Sequence, residues 1–292
     1  MRTARILVVG YLSIDTLQAA GAEPVEVPGG AALYAALGAR QAGAHASIAA
    51  VVGEDYPQPW LHSLAQMGVD VSRVQRRAGS TRTTALRYGA GGHRDSPHYR
   101  DDVWWHRTRA LAPALQGDLA QVDVLVACPM PIDSLAALLQ LAALAGVPVV
   151  ADTSEAFVTE DPQRLLELVG ELAAFAPSRE ETRLLWPQCD DDAAALALAG
   201  RGVHVLHKRG AQGAAAVPAH GSVPVHIPAP PAAVVDPTGA GDATVGALAA
   251  HIGGGAGFLD AAAAALATGA LATTGIGPAA LGLLIRSHLH TQ

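Results

Sequence analysis

Lysine is all but missing from this chain. Lys208 is the only one in 292 residues, so no Gly-x-x-x-x-Gly-Lys-Ser/Thr phosphate loop can be built from it. Cysteine is nearly as scarce: Cys128 and Cys189 stand alone, with neither a Cys-x-x-Cys pair nor a histidine at metal-ligand spacing. That argues against a disulfide framework and for reduced thiols in a cytoplasmic protein. No run rich in Lys and Arg occurs and the net charge is −7, so neither nucleic acid nor an anionic membrane surface is an expected partner. Residues 6–10 form an apolar run too short, and too soon followed by Asp15, for a signal peptide. Residues 261–285 carry no charge, but they are mostly Ala, Gly and Thr, broken by Gly275, Gly277 and Pro278. They read as two buried helices rather than a membrane span.

Half of the residues are hydrophobic, enough for a substantial core at this length. From residue 122 onward, strand-like runs at 122–127, 147–151 and 172–176 alternate with helix-like runs at 132–145 and 162–169. Such alternation calls for a parallel sheet covered by helices on both faces, with ligands at the C-terminal strand edge. Residues 5–10 suit a first buried strand. The following Gly10-Tyr11-Leu12-Ser13-Ile14-Asp15 lacks the further glycines of a dinucleotide fold.

The most informative stretch is Val234-Val235-Asp236-Pro237-Thr238-Gly239-Ala240-Gly241-Asp242 and the Ala-rich run behind it. A β-prone pair, a Pro/Gly turn and an unbroken apolar segment read as strand, tight turn, helix. The first N–H groups of a helix have no intrahelical acceptor and sit at the positive end of its dipole, so they bind anions. Gly239 and Gly241 keep side chains off whatever lies on those amides. A carboxylate beside a phosphate cradle repels the phosphate, yet a phosphoryl-transfer site needs one to accept the proton of an attacking hydroxyl. Asp242 is therefore a candidate base, although acids are common in first helical turns in any case.

The string Asp-Pro-Thr-Gly-Ala-Gly-Asp followed by a small-residue helix closely resembles the C-terminal signature of the ribokinase-like (pfkB-type) carbohydrate kinases. The resemblance implies one ribokinase-like domain over residues 1–292: a three-layer α/β/α fold with a mostly parallel central sheet and a small β-sheet lid, its strands around 12–28 and 81–102. It implies an ATP-dependent kinase acting on a hydroxyl of a sugar or polyol, with Asp242 as base and the amides of Gly239, Ala240, Gly241 and Asp242 as anion hole. A nucleoside kinase on the same fold, or an inactive relative serving as a binding protein, are the alternatives.

Other positions match the family in the same way. Asp15 falls where members bind substrate hydroxyls, with Ser13 in place of their Asn, and Pro28-Gly29-Gly30 before an Ala/Leu-rich helix resembles their N-terminal signature, so Gly29 and Gly30 are expected at the substrate. Some sugar kinases carry an Asn further into that helix, where Leu33 and Tyr34 stand here; this leaves the acceptor open. Glu181, in Pro177-Ser178-Arg179-Glu180-Glu181, matches a glutamate that organises magnesium through water, but Ser-x-x-Glu is equally a helix capping box. Lys208, Gly210 and Gly213 suit a nucleotide-contacting turn after a strand, joined by Thr238. Asp236 and Thr238 would contact a monovalent cation such as K+. Residues 93–109, rich in His, Arg, Asp and Trp, fit no part of the pattern and would serve best in closing the pocket. The exposed edge of a lid sheet would suit a homodimer.

Overall fold

The computed structural model describes residues 2–19, 23–88, 98–99 and 119–283. β1 (Arg5–Val9) lies inside the main sheet, paired in parallel with β4 (His45–Val52) on one side and β8 (Val124–Ala127) on the other. Beyond β4 comes β5 (Val69–Arg76). Beyond β8 follow β9 (Val149–Ala151), β10 (Ala174–Phe175) and β11 (His204–Lys208), all parallel, and then β12 (Ala214–Val217) and β13 (Val225–Ile227), which are antiparallel. The chain thus builds outward from β1 in one direction and returns to extend the sheet in the other. The strand order reverses between β1 and β8, where an open α/β sheet leaves a crevice at its C-terminal edge.

Helices cover both faces. Ile6 and Val8 of β1, with Val124 and Val126 of β8, join the core formed with α1 (Ala31–Gln41), α8 (Ala240–Gly253) and α9 (Phe258–Ala272). Leu7 and Val9, with Leu125 and Ala127, face the opposite core with α3 (Ile132–Ala145), α5 (Pro162–Val169) and α7 (Asp191–Ala199). Alternate residues serve opposite cores, which is why these strands are apolar throughout rather than alternating. The remaining helices are α2 (Gln58–Gln66), α4 (Glu155–Glu160) and α6 (Arg179–Leu185). α1 and α8 cross closely through two glycines: a Cβ on Gly38 would lie 2.1 Å from the Ala243 carbonyl oxygen, and one on Gly246 1.8 Å from that of Ala35.

A second, four-stranded sheet has the order β3 (Val25–Gly29), β2 (Ser13–Ala19), β6 (Thr83–Tyr88), β7 (His98–Tyr99). It supplies the expected lid. β3 is exposed at Val25 and Glu26 and buried from Val27 to its end. Apart from the backbone of β7, the segment 93–109 lies outside the described residues.

Two expectations are corrected. Val234 and Val235 form no strand; they are 64% and 54% exposed, and the N–H groups of Val235 and Asp236 both donate to the Thr273 carbonyl at the end of α9 (2.7 and 3.1 Å). The turn before α8 is hung from a helix terminus, not from a sheet. The uncharged stretch 261–285 likewise holds one long helix, ending at Ala272, followed by a single 3-10 segment, Gly277–Leu281, because Thr273 and Thr274 turn their hydroxyls onto the Ala270 and Leu271 carbonyls as α9 ends.

Candidate active site

A cleft of about 360 Å³ runs along the C-terminal edge of the main sheet beneath the lid. At its floor lies the turn before α8. Asp236 is buried, and its two oxygens accept the N–H groups of Thr238 (2.9 Å) and Gly277 (2.8 Å). It ties the turn to the chain beyond α9. Asp236, expected at a monovalent cation, thus already serves two backbone donors, and among the described residues no group of three or more His, Cys, Asp or Glu side chains could hold a metal ion.

Gly239 caps α8 with φ +74° and offers no capping side chain, so the first-turn amides of the helix are not claimed from that position. Gly239, Gly241, Asp242 and Thr238 line the cleft. Ala240, expected in the anion hole, donates its N–H to the Pro237 carbonyl at 3.3 Å. A Cβ on Gly241 would stand 3.1 Å from Lys208 Nζ. The lysine's ammonium therefore lies against the turn that opens α8.

Lys208, at the end of β11, is held by Asp152 Oδ2 at 2.5 Å. Burial works against its charge, but Asp152, Glu181 and Asp242 outweigh burial and keep its pKa above the usual lysine value. The acids respond in kind. Desolvation and the Asp152 charge push Asp242 up to about 7, against Lys208 and Asp242's own backbone N–H. Desolvation and Asp152 push Glu181 up to about 8, against Lys208 and Ser178. The capping box expected at Ser178 is fully formed: Ser178 N–H donates to Glu181 Oε2 (2.7 Å), and Glu181 N–H donates to Ser178 Oγ (3.3 Å). Both residues also line the cleft.

The lid side is organised around Asp15. Burial raises its pKa, opposed by Ser13 and the charge of Arg82, and Ser13 Oγ donates to Asp15 Oδ1 at 2.7 Å. Gly29 pairs with Ser13 across β2 and β3, and a Cβ there would fall 1.9 Å from Asp15 Oδ2. Gly30, at φ +97°, turns the chain over the Tyr11 carbonyl into α1 and lines the cleft. Gly210 and Gly213 do not reach it: Gly210 is exposed, and Gly213 (φ +85°) lets β12 approach the Ile227 carbonyl.

Among the cleft residues that escaped the sequence reading are Asp152, Arg82, Thr84 and Phe157. Arg82 precedes β6 and places its guanidinium 5.9 Å from the centre of the Tyr11 ring. Its neighbour Thr81 is fastened to Asp55 through both N–H and hydroxyl (2.7 and 2.6 Å).

The family profile "pfkB family carbohydrate kinase" matches residues 3–283. The cytidine kinase of Thermococcus kodakarensis is 29% identical over 249 residues, covering 84% of this chain and 87% of that protein. Among solved structures, the nucleoside kinase of Burkholderia thailandensis in complex with inosine superposes with a TM-score of 0.78 at 20% identity, covering 94% and 92% of the two chains. A ribokinase II from E. coli in complex with ATP and Mg2+ gives 0.75 at 23% identity, covering 94% of each. These neighbours share the α/β/α architecture and its lid.

Proposed function

Since this chain belongs to the pfkB family of carbohydrate kinases, we propose that it transfers the γ-phosphoryl group of ATP to a sugar hydroxyl, with Asp242 taking the hydroxyl's proton. The observation that carries this is the junction at residues 239–242: donor amides and a carboxylate raised toward neutrality open into the cleft that also receives Asp15. A base works best with a pKa near the operating pH. Asp15, steadied by Ser13, accepts hydrogen bonds from acceptor hydroxyls and orients one toward Asp242. As that oxygen bonds to the γ-phosphorus and the bond to the β-phosphate oxygen breaks, the proton passes to Asp242 and ADP leaves. The amides of Gly241 and Asp242 and the ammonium of Lys208 stabilise the charge on the group in transit. The lid excludes water that would otherwise take the phosphoryl group.

The charge balance of the cleft fits magnesium. Asp152, Glu181 and Asp242 all act on Lys208, and Glu181 and Asp242 have raised pKa values; the three do not form a direct metal-binding cluster, so the ion would be held through water and the nucleotide phosphates. Glu181 would hold it through water, in keeping with the reluctance of magnesium to shed its hydration. When bound it offsets the charge of the nucleotide phosphates. The fold neighbour holding ATP and Mg2+ supports this assignment.

A second reading, in which the sugar is the ribose of a nucleoside, is favoured by Tyr11, Tyr34, Pro129 and Phe157 on the same cleft. These apolar surfaces suit a flat base, and the similarity to a cytidine kinase points the same way. ADP release measured over ribose, other sugars, inositols and nucleosides decides the acceptor. With the preferred acceptor, Asp242→Asn should lower turnover by about two to four orders of magnitude with little change in the KM for ATP; unchanged turnover would refute the assignment.

A further inference from the structure

The ion pair between Lys208 and Asp152 has no evident structural purpose. Its side chains are 14% and 5% exposed, and at such depth the desolvation of two charges cancels most of their attraction, so an apolar pair would serve the sheet as well. What the pair fixes is the place of a charge. Asp152 follows directly on β9, and its Oδ1 accepts the N–H of Thr153 at 2.9 Å, which leaves Oδ2 turned onto the ammonium. Gly241 stands against the same ammonium, a Cβ there falling 3.1 Å from Nζ.

A lysine stem is long and flexible, and its ammonium is a point charge. Glu181 and Asp242 both attract it. Paired with Asp242 it would quench the base, and paired with Glu181 it would compete for the carboxylate assigned to magnesium. We propose that Asp152 is a positioning residue for Lys208, anchoring its ammonium beside Gly241 over the anion loop and keeping it off Asp242 and Glu181. The inference rests on the phosphoryl-transfer reading and adds to it the residue that aims the charge.

The test is a double-mutant cycle with Asp152→Asn and Lys208→Met, assayed for turnover with ATP and the preferred acceptor. Asparagine keeps the oxygen that accepts the Thr153 N–H and removes the charge. Asp152→Asn should lower kcat by about 10- to 100-fold, on the scale of losing one electrostatic contact to the transferring group, with the KM for the acceptor changed little. Because Asp152 acts through Lys208, the double variant should be about as slow as Lys208→Met alone. Asp152→Asn with the parent's kcat, or losses that multiply in the double variant, would overturn the proposal while leaving the kinase reading intact. A parent protein that phosphorylates no acceptor would overturn the kinase reading and this inference with it. Thermal melting of each variant guards against misfolding; if the asparagine variant does not fold, Asp152→Glu takes its place, with a lower kcat at an unchanged melting temperature as the expected result and an unchanged kcat as the contrary one.

Discussion

The ring of Tyr34 occupies the space that a side chain on Gly239 would need: a Cβ there would come within 2.2 Å of the ring carbons. α1 thereby buttresses the turn into α8, and the glycine-mediated crossing of α1 and α8 fixes the distance between them. Gly239→Ala meets two obstacles at once, the ring and a backbone at φ +74°. A left-handed conformation at a non-glycine residue costs about 1–3 kcal/mol, so a lower melting temperature is expected together with a loss of turnover. In a Tyr34→Ala background, itself destabilised by loss of a buried ring, Gly239→Ala should cost less than it does in the parent, because the ring is gone, but not nothing, because the backbone strain stays. A Gly239→Ala protein that melts and turns over like the parent would show that the loop is not held in this way.

Activity and stability should respond to pH in opposite directions. As the proposed base Asp242 would have to be ionised, and its pKa is raised to about 7, so kcat should climb as pH rises through neutrality. For stability the sign is reversed. A carboxyl whose folded pKa lies above its unfolded value contributes stability that is complete below the unfolded pKa and is lost as pH rises through the folded one. With Asp242 raised to about 7 and Glu181 to about 8, the protein without metal or nucleotide should melt at a higher temperature near pH 6 than above pH 8. Asp242→Asn should flatten part of that slope. Melting curves across this range, set beside a pH-rate profile, check both signs.

The inner parallel strands were legible because each is covered on both faces, which leaves continuous apolar runs such as the one in β1 that few other environments produce; the edge strand β5, only partly buried, carries no such run. The turn into α8 was legible because a Pro/Gly turn before a small-residue helix leaves little choice of backbone. Val234 and Val235 misled because β-propensity describes fitness for a pleated, half-buried surface, and at this point the backbone amides are claimed by Thr273. Asp152 did carry a signal, an acid just past a strand in an α/β alternation. Its partner, however, lies on β11, and only the sheet order, with β10 between them, brings the two strand ends together. Arg82 and Tyr34 reach the cleft by tertiary arrangement alone. The chain contains no asparagine, and the serines at positions 13 and 178 show what stands in its place: one hydroxyl donates to Asp15, and the other accepts from the Glu181 amide.

Gly29 leaves room for Asp15 to present its carboxylate. With a Cβ placed 1.9 Å from Oδ2, Gly29→Ala must displace Asp15 or part β2 from β3. The loss should fall on the acceptor: its KM should rise by about tenfold or more while that for ATP holds, the pattern of a lost contact with one substrate. Equal losses for both substrates would mean that the whole lid had shifted.

Ser178 links the start of α6 to the carboxylate assigned to magnesium. Removing its hydroxyl in Ser178→Ala takes the acceptor from Glu181 N–H, and loss of an N-terminal cap typically costs about 1 kcal/mol. The bond from Ser178 N–H to Glu181 Oε2 (2.7 Å) comes from the backbone and survives, but it loses its reciprocal partner. Glu181 should then sample other rotamers, and the magnesium concentration needed for half-maximal turnover should rise. Ser178→Thr keeps the hydroxyl and should restore both the melting temperature and the magnesium requirement. If Ser178→Ala lowers the melting temperature without moving the magnesium dependence, the box serves the helix alone and Glu181 is held for metal by something else in the cleft.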